Sequence, residues 1–218
     1  MENSRIWMER SRLVDKNSQR GSSFSPAKTP QLVHWHPPPP RFIKLNFDGC
    51  LVNSTAAGGY ILRDWTGKII KVGAANYGKT SIIAAEARAL CDGIKAAAEA
   101  GFHKLYIEGD NLTVIQAVQG KIGVPWKIST ILEDVRTWIL QMTHVQIHYI
   151  FQEANMAVDW LSKFGHTVTD CFSSDNCFSS VLGAILTADV VGYSCEKRRL
   201  TYEVSLYHCL KKKSVDME

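Results

Sequence analysis

Hydrophobic residues between positions 42 and 164 recur with two different periods, and this switching constrains the fold more than any other feature of the chain. Phe42–Asp48 alternates apolar and polar side chains, which predicts a β-strand with one buried face. Tyr60–Leu62 and Ile69–Val72 are apolar runs around a polar stretch, which predicts a hairpin. From Ile83 to Ala97 the apolar side chains are three and four residues apart, as on one face of an α-helix.

The same two periods continue to the end of this segment. Leu105–Asp110 and Val145–Phe151 are predicted strands. Leu112–Gln119 is a predicted short helix, 131–142 is a second, and 155–164 is the last. The element order βββαβααβα predicts an α/β domain with a mixed sheet.

Composition and charge divide the 218 residues into three parts. Residues 1–40 hold six basic and three acidic side chains and end in Pro37–Pro40, which predicts a disordered, basic, Pro-rich tail. The strong periodicities fall within 41–170, which is long enough to bury a core of its own. Residues 171–218 carry balanced charge and little pattern, so we expect a tail that is partly ordered or disordered.

The hydrophobic runs are short throughout the chain. None approaches the roughly 20 apolar residues that a membrane-spanning helix needs, and the first 30 residues lack the apolar stretch of a secretory signal. We therefore expect no membrane association and a location inside the cell, in the cytoplasm or the nucleus. We also expect a monomer.

Four carboxylates fall at or near the ends of predicted elements. Asp48 is expected to end the first strand and Asp110 the fourth; Glu86 borders the apolar stripe of the first helix, and Asp159 lies one turn into the last. Carboxylates that converge repel one another unless a hard cation such as Mg²⁺ neutralises them. Each also has a structural interpretation, since Asp48 could turn with Gly49, Asp110 could cap a helix, and the other two could be surface charges. Periodicity alone leaves these alternatives open.

The segment Gly73–Thr80 matches the P-loop spacing GxxxxGK[ST]. In a P-loop, backbone N–H groups and Lys79 would bind a nucleotide phosphate. The strand before this segment is expected to pair in a local hairpin, whereas P-loops follow a central parallel strand. Nucleotide binding therefore remains an alternative function that the predicted topology disfavours.

Four blocks of the sequence together resemble a known family. LNFDGC, AAEARAL, IEGDN and QEANMAVDWLSK resemble the four sequence blocks of the type 1 ribonuclease H domain, in particular the domains of plant genes related to non-LTR retrotransposons. The segments WHPPPPRFIKLNFDG and GGYILRDWTGKII also resemble that group, and the resemblance covers about residues 35–168. It implies a ribonuclease H-like fold, with a five-stranded mixed sheet (three antiparallel strands, then parallel additions) and helices on both faces.

The resemblance also implies an activity and a set of site residues. Asp48, Glu86, Asp110 and Asp159 would be the catalytic and metal-binding carboxylates for two Mg²⁺ ions, with Mn²⁺ as an alternative ion. The partner would be an RNA–DNA hybrid, and the reaction would be endonucleolytic hydrolysis of its RNA strand. The residues expected to contact nucleic acid are Asn111, Trp126, Lys127, Gln152 and Asn155.

Two features near the fifth strand and the last helix depart from the family pattern. Many relatives have Arg where this chain has Gln152, and the run 151–155 is too short for the loop that carries a catalytic His in bacterial members. A nucleic-acid-binding module with weak or no turnover is therefore the alternative to an active enzyme. Trp126 follows Gly123-Val124-Pro125 and is proposed to contact the DNA strand; packing at a helix start is its structural interpretation.

Overall fold

A computed structural model describes residues 34–175, 182–184 and 186–187, and the backbone of 32–33 and 195–196. The strands are β1 (Leu32–Val33), β2 (Ile43–Val52), β3 (Thr55–Arg63), β4 (Ile69–Gly78), β5 (Lys104–Gly109), β6 (His144–Tyr149), β7 (Cys171–Ser174) and β8 (Cys195–Glu196). The helices are α1 (Ile82–Glu99), α2 (Leu112–Val118), α3 (Ser129–Ile139) and α4 (Met156–Phe164). Single 3₁₀ turns cover Trp126–Ile128, Gln152–Ala154 and Gly165–Thr167.

Six strands form one mixed sheet in the order β6-β5-β2-β3-β4-β7, and β1 pairs separately with β8. The pairs β2–β3, β3–β4 and β4–β7 are antiparallel, whereas β2–β5 and β5–β6 are parallel. The predicted α/β fold with a mixed sheet is confirmed, and the element order from β2 to α4 is the predicted one. The sheet has one strand more than expected, because Cys171–Ser174 pairs along the outer edge of β4.

Helices cover both faces of the sheet. On one face α1, α2 and α3 bury a core that includes Leu45 and Phe47 of β2 and Leu90 of α1. On the other face α4 packs its Leu161 against Ile61 of β3. Burial of apolar side chains on two faces supplies the main stabilising free energy of such a domain.

The strand β2 differs from its prediction in two respects. The prediction that Asp48 ends this strand is wrong, because β2 continues to Val52 before a turn in which Asn53 and Ser54 have φ values of 48° and 64°. The polar face of β2 is also buried: Lys44 is 1% exposed and Asn46 likewise. Alternation alone had suggested that this face would meet solvent.

The antiparallel strand β4 contains most of the P-loop-like segment. Backbone groups of 73–76 pair with β3 on one side, and those of 73–75 pair with β7 on the other. The ring of Tyr60 lies so close to Gly73 that a Cβ there would be 2.3 Å from Cε1. Because these N–H groups belong to β-ladders, they do not form a loop that could surround a phosphate, and the observed topology argues against the nucleotide-binding alternative.

Buried side chains extend past the predicted domain boundaries of 41 and 170. Trp35 is 5% exposed, and Leu182 and Leu186 belong to the core under α4. The predicted tail over residues 1–31 lies outside the described residues, and the boundaries themselves stay a prediction. Within the part of the chain that the structure describes, no helix combines the length and the hydropathy needed to cross a bilayer.

Candidate metal centre

Two carboxylates meet because their strands are parallel neighbours. In the register of β2 and β5, Asn46 lies beside Glu108. Two residues further along both strands come Asp48 and Asp110, which project on the same face because side chains alternate with a period of two. The site therefore lies where β5 ends and β2 continues.

The third carboxylate comes from α1, which lies unusually close to β2. A Cβ on Gly49 would be 2.5 Å from the backbone nitrogen of Glu86, so only glycine permits this approach. Glu86 is 5% exposed. As a result, one carboxylate oxygen from each of Asp48, Glu86 and Asp110 lies within 4.8 Å of the other two.

Hydrogen bonds hold these carboxylates from several sides. The Ser162 hydroxyl lies 2.6 Å from Oδ2 of Asp48, to which it donates. The side chain of Asn111 donates to Glu86, and that of Asn155 donates to Asp110. The remaining oxygen of Glu86, Oε2, is buried and has no hydrogen-bond partner. A buried acceptor without a donor is costly unless something else binds it.

Burial and mutual repulsion oppose ionisation of all three groups. Burial first, and then the charges of Asp110 and Asp159, raise the pKa of Asp48 to about 8. Burial and the charges of Asp48 and Asp110 raise the pKa of Glu86 to about 9. Burial and the charge of Asp159 raise the pKa of Asp110 to about 6. Without cations, Asp48 and Glu86 would therefore favour their protonated forms at neutral pH.

The donor set fits a hard divalent cation. Three carboxylates supply oxygen atoms only, which is the chemistry that Mg²⁺ prefers. The unpartnered Oε2 of Glu86 supplies a ligand atom that no protein group uses. A bound cation would offset both the burial and the repulsion that raise the three pKa values. Asp48, Glu86 and Asp110 can therefore hold a metal ion.

The fourth predicted carboxylate, Asp159, stands apart from this group. It lies in the first turn of α4, and its Oδ2 is 3.1 Å from Nζ of Lys163. About a quarter of its side chain is exposed. Its charge nevertheless raises the pKa values of Asp48 and Asp110, so it lies close enough to act on them. Three of the four predicted carboxylates have oxygen atoms within 4.8 Å of one another, and the role of the fourth stays a prediction.

The five residues predicted to contact nucleic acid occupy different environments. Trp126 is 80% exposed, and Nζ of Lys127 lies 5.7 Å from the centre of its ring. Gln152 is also exposed, at the start of a 3₁₀ turn. Asn111 caps α2 by accepting a hydrogen bond from the backbone of the third residue of the helix. Asn155 is only 2% exposed, so its burial argues against a direct contact with nucleic acid.

Two groups that position the carboxylates were not singled out from the sequence. Gly49 follows Asp48 directly, but a turn explains such a glycine as well as a close helix contact does. Ser162 lies one helical turn after Asp159, and that spacing was the available signal for a hydroxyl on the same helix face. Sequence spacing could not reveal that it reaches Asp48 on another element.

These pKa shifts predict how pH changes the stability of the metal-free protein. The free energy of unfolding should fall as pH rises from about 5 to about 8, because the folded state retains carboxyl protons that unfolded Asp and Glu have lost above a pKa of about 4. Adding Mg²⁺ at the upper end should restore stability, since it binds the ionised site of the folded state. Urea unfolding across this pH range, with and without MgCl₂, measures both effects.

Glu86→Gln is the matched control for this prediction. It removes the group with the highest of the three pKa values and keeps the side-chain volume. The free energy of unfolding should then decrease less steeply with pH than in the unmodified protein. This comparison distinguishes the contribution of the site from that of histidines and other titrating groups. An equal decline in both proteins would contradict the assignment to these carboxylates.

Comparison with known proteins agrees with this architecture. The sequence model of the family described as reverse transcriptase-like matches residues 46–165, more than half of the chain. The chain belongs to the reverse transcriptase-like family. A provisionally named ribonuclease H protein of Arabidopsis thaliana is 22% identical over 170 residues. That match includes 77% of this chain and 27% of the relative, so the chain spans about a quarter of the length of that protein.

Solved structures show that this reverse transcriptase-like domain has the ribonuclease H-like fold. Ribonuclease H1 of the halophilic archaeon Halobacterium salinarum is 23% identical, with a TM-score of 0.55, over 57% of this chain and 97% of that one. LC11-RNase H1, crystallised with an RNA/DNA hybrid, is 18% identical, with a TM-score of 0.53, over 56% of this chain and 94% of that one. The fold expected from the four sequence blocks is thereby confirmed.

Proposed function

We propose that this chain is a metal-dependent endonuclease that hydrolyses the RNA strand of RNA–DNA hybrids. The observation that supports this most strongly is the contact of Asp48, Glu86 and Asp110 within 4.8 Å of one another on a ribonuclease H-like fold. Buried carboxylates with raised pKa values and an unused oxygen are hard to explain as structural groups, because each destabilises the folded state. A metal site gives them a common function.

Each side chain has a separate task in the proposed reaction. Asp48, Glu86 and Asp110 would hold two Mg²⁺ ions, and Asp159, which is paired with Lys163, would be a further ligand. When bound, the ions activate a water molecule and stabilise the leaving 3′-oxygen.

The side chains around the ligands keep them in position, and the bond that breaks determines the products. The hydroxyl of Ser162 and the amide of Asn111 orient the oxygens of Asp48 and Glu86. A bond forms between the water oxygen and phosphorus while the bond from phosphorus to the 3′-oxygen breaks. The products carry a 5′-phosphate and a 3′-hydroxyl.

A cleavage assay tests this function directly. A labelled RNA strand annealed to DNA should be cut in Mg²⁺ or Mn²⁺ and stay intact in EDTA, whereas a DNA–DNA duplex should stay intact throughout. Discrimination is expected because the 2′-hydroxyl distinguishes RNA from DNA in the minor groove. Failure to cut the hybrid with either metal would refute the enzyme proposal.

A nucleic-acid-binding module with little turnover is the second candidate. Two observations favour it: Asp159 is paired with Lys163, and Gln152 offers no charge to a phosphate. Hybrid binding measured in Ca²⁺, together with the absence of cleavage in Mg²⁺, would support this candidate over the first.

Trp126 is proposed to stack against the nucleic acid, and its replacement should weaken binding. Trp126→Ala is expected to lower hybrid affinity by about five- to tenfold, the lower part of the range that one aromatic stacking contact contributes. Stability should not change, because the side chain is 80% exposed. Fluorescence anisotropy with a labelled hybrid in Ca²⁺ measures the affinity.

Leu140→Ala is the control for this variant. Leu140 is 84% exposed, so it tests whether loss of any exposed apolar side chain has the same effect. Equal affinities for the two variants would show that Trp126 makes no specific contact.

A further inference from the structure

A buried polar cluster connects Trp35, outside the strands of the main sheet, to the carboxylates. The indole Nε1 of Trp35 donates a hydrogen bond of 3.0 Å to Oδ1 of Asn46. Nη2 of Arg63 donates to the same oxygen at 3.3 Å, and its guanidinium carbon lies 4.0 Å from the centre of the Trp35 ring. Trp35, Asn46 and Arg63 are all at most 5% exposed.

These two donors fix the orientation of the Asn46 amide. Because Trp35 and Arg63 can only donate, they require the oxygen of Asn46 on their side. Nδ2 of Asn46 must therefore face the other way, where it lies 3.3 Å from Oε2 of Glu108 and 3.3 Å from Oδ1 of Asn155. Both of these atoms are acceptors, so the arrangement is self-consistent.

The orientation of Asn46 in turn fixes that of Asn155. Since Oδ1 of Asn155 accepts from Asn46, its Nδ2 points away and donates to the carbonyl oxygen of Phe47 at 3.0 Å. Asn155 also lies close enough to Asp110 to lower the pKa of its carboxyl, as a nearby hydrogen-bond donor does. If Asn46 turned over, its oxygen would face Oδ1 of Asn155, which the carbonyl of Phe47 holds in place, and the hydrogen bond that supports Asn155 would be lost.

We propose that Trp35 is a positioning residue for the metal centre, acting through Asn46 and Asn155 on Asp110. The indole N–H sets the direction of a chain of hydrogen bonds that ends on a metal-binding carboxylate. Groups that orient metal ligands in this way affect metal affinity even though they never touch the ion. Trp35 has this role only if the carboxylates bind metal, so the inference rests on the proposed function.

Trp35→Phe tests this role with a conservative change. It removes the N–H and keeps an aromatic ring for Arg63 to stack on. The variant should bind Mg²⁺ about tenfold more weakly in calorimetry, the low end of what such supporting groups contribute. It should also lower kcat for hybrid cleavage with KM for the hybrid unchanged. Trp65→Phe, at a tryptophan that is 46% exposed in the β3–β4 turn, should change neither.

A second variant keeps the inference testable if Trp35→Phe does not fold, and a double mutant tests the route through Asn155. Asn46→Asp keeps the acceptor for Trp35 and removes the donor to Asn155, so it should weaken Mg²⁺ binding to a similar extent. In an Asn155→Ala background, Trp35→Phe should have no further effect, because the route to Asp110 is already broken.

The possible results distinguish the inference from the proposed function. Unmodified protein that binds no Mg²⁺ would overturn the metal site, and the inference with it. Unmodified protein that binds Mg²⁺, together with unchanged affinity in Trp35→Phe or Asn46→Asp, would overturn the inference alone. An additive effect in the double mutant would overturn the route through Asn155.

Discussion

Asp48→Asn should reduce hybrid cleavage by at least about 10³-fold, which is the effect expected when one member of a group of residues that act together in catalysis is lost. The same substitution should make the metal-free protein more stable at neutral pH. One oxygen of Asp48 lies within 4.8 Å of oxygens of both Glu86 and Asp110, so the substitution removes one of the three ligands that a bound metal would share. Asn has the same shape but no charge. It therefore removes ligand chemistry without opening a cavity.

The gain in stability follows from the burial of Asp48. Its pKa of about 8 means that ionising this carboxyl in the folded protein is unfavourable near neutral pH. A neutral amide avoids that penalty and can still accept the hydrogen bond from Ser162. We expect the free energy of unfolding in EDTA at about pH 8 to increase by roughly 1–3 kcal/mol. In excess Mg²⁺ the unmodified protein should regain the difference.

Asp134→Asn is the matched control for Asp48→Asn. Asp134 lies on the exposed side of α3, so the same change of charge should alter neither cleavage nor stability beyond about 0.5 kcal/mol. Cleavage by Asp48→Asn within a few-fold of the unmodified protein would refute the assignment of this carboxylate. Lower stability of Asp48→Asn in EDTA would contradict the electrostatic explanation, even if cleavage were lost.

The convergence of three carboxylates was predictable because it depends on topology. Asp48 lies in one strand that the alternation identifies and Asp110 directly follows another, and parallel neighbours bring equivalent positions together. Glu86 could be assigned to the edge of an apolar helical stripe from spacing alone. The four sequence blocks then identified which carboxylates belong to one site. Topology and spacing gave the positions, and the resemblance of the four blocks was needed to join them into one site.

The surroundings of the carboxylates could not be predicted, because they depend on contacts between distant segments. Lys44 and Asn46 alternate with apolar residues like any half-exposed strand, yet Trp35 and Glu108 bury them. A periodic pattern shows which side chains share a face, but it does not show which other segments pack on that face. The same limit explains why β7 was missed. Its pairing partner is the edge of β4, where Cys171 lies opposite Ala75, which is 96 positions earlier in the chain.

Among substitutions that add one methyl group to the described part of the site, Gly49→Ala should destabilise the protein most. The added Cβ would lie 2.5 Å from the nitrogen of Glu86 and 2.9 Å from the carbonyl carbon of Ala85. Both are backbone atoms of α1, so no side-chain rotation can relieve the contact. The helix must move away from β2 by about 1 Å, and overpacking of this kind costs about 3 kcal/mol.

The shift of α1 should affect catalysis as well as stability. It moves Glu86 away from Asp48, and a displacement of about 1 Å at a reacting centre can cost about 10²-fold in rate. We therefore expect Gly49→Ala to lower both the urea midpoint and kcat, and to weaken Mg²⁺ binding. Measurement at low temperature, where the variant is still folded, separates loss of the site from loss of the fold.

Gly123→Ala provides the comparison, because a Cβ on Gly123 would meet nothing within 4 Å. It should leave stability and cleavage unchanged. Unchanged stability and cleavage in Gly49→Ala would show that α1 does not contact β2 as described and that Glu86 does not lie next to Asp48. The metal centre depends on this helix contact as much as on the carboxylates, because three acidic side chains form one site only when the backbone beneath them allows the approach.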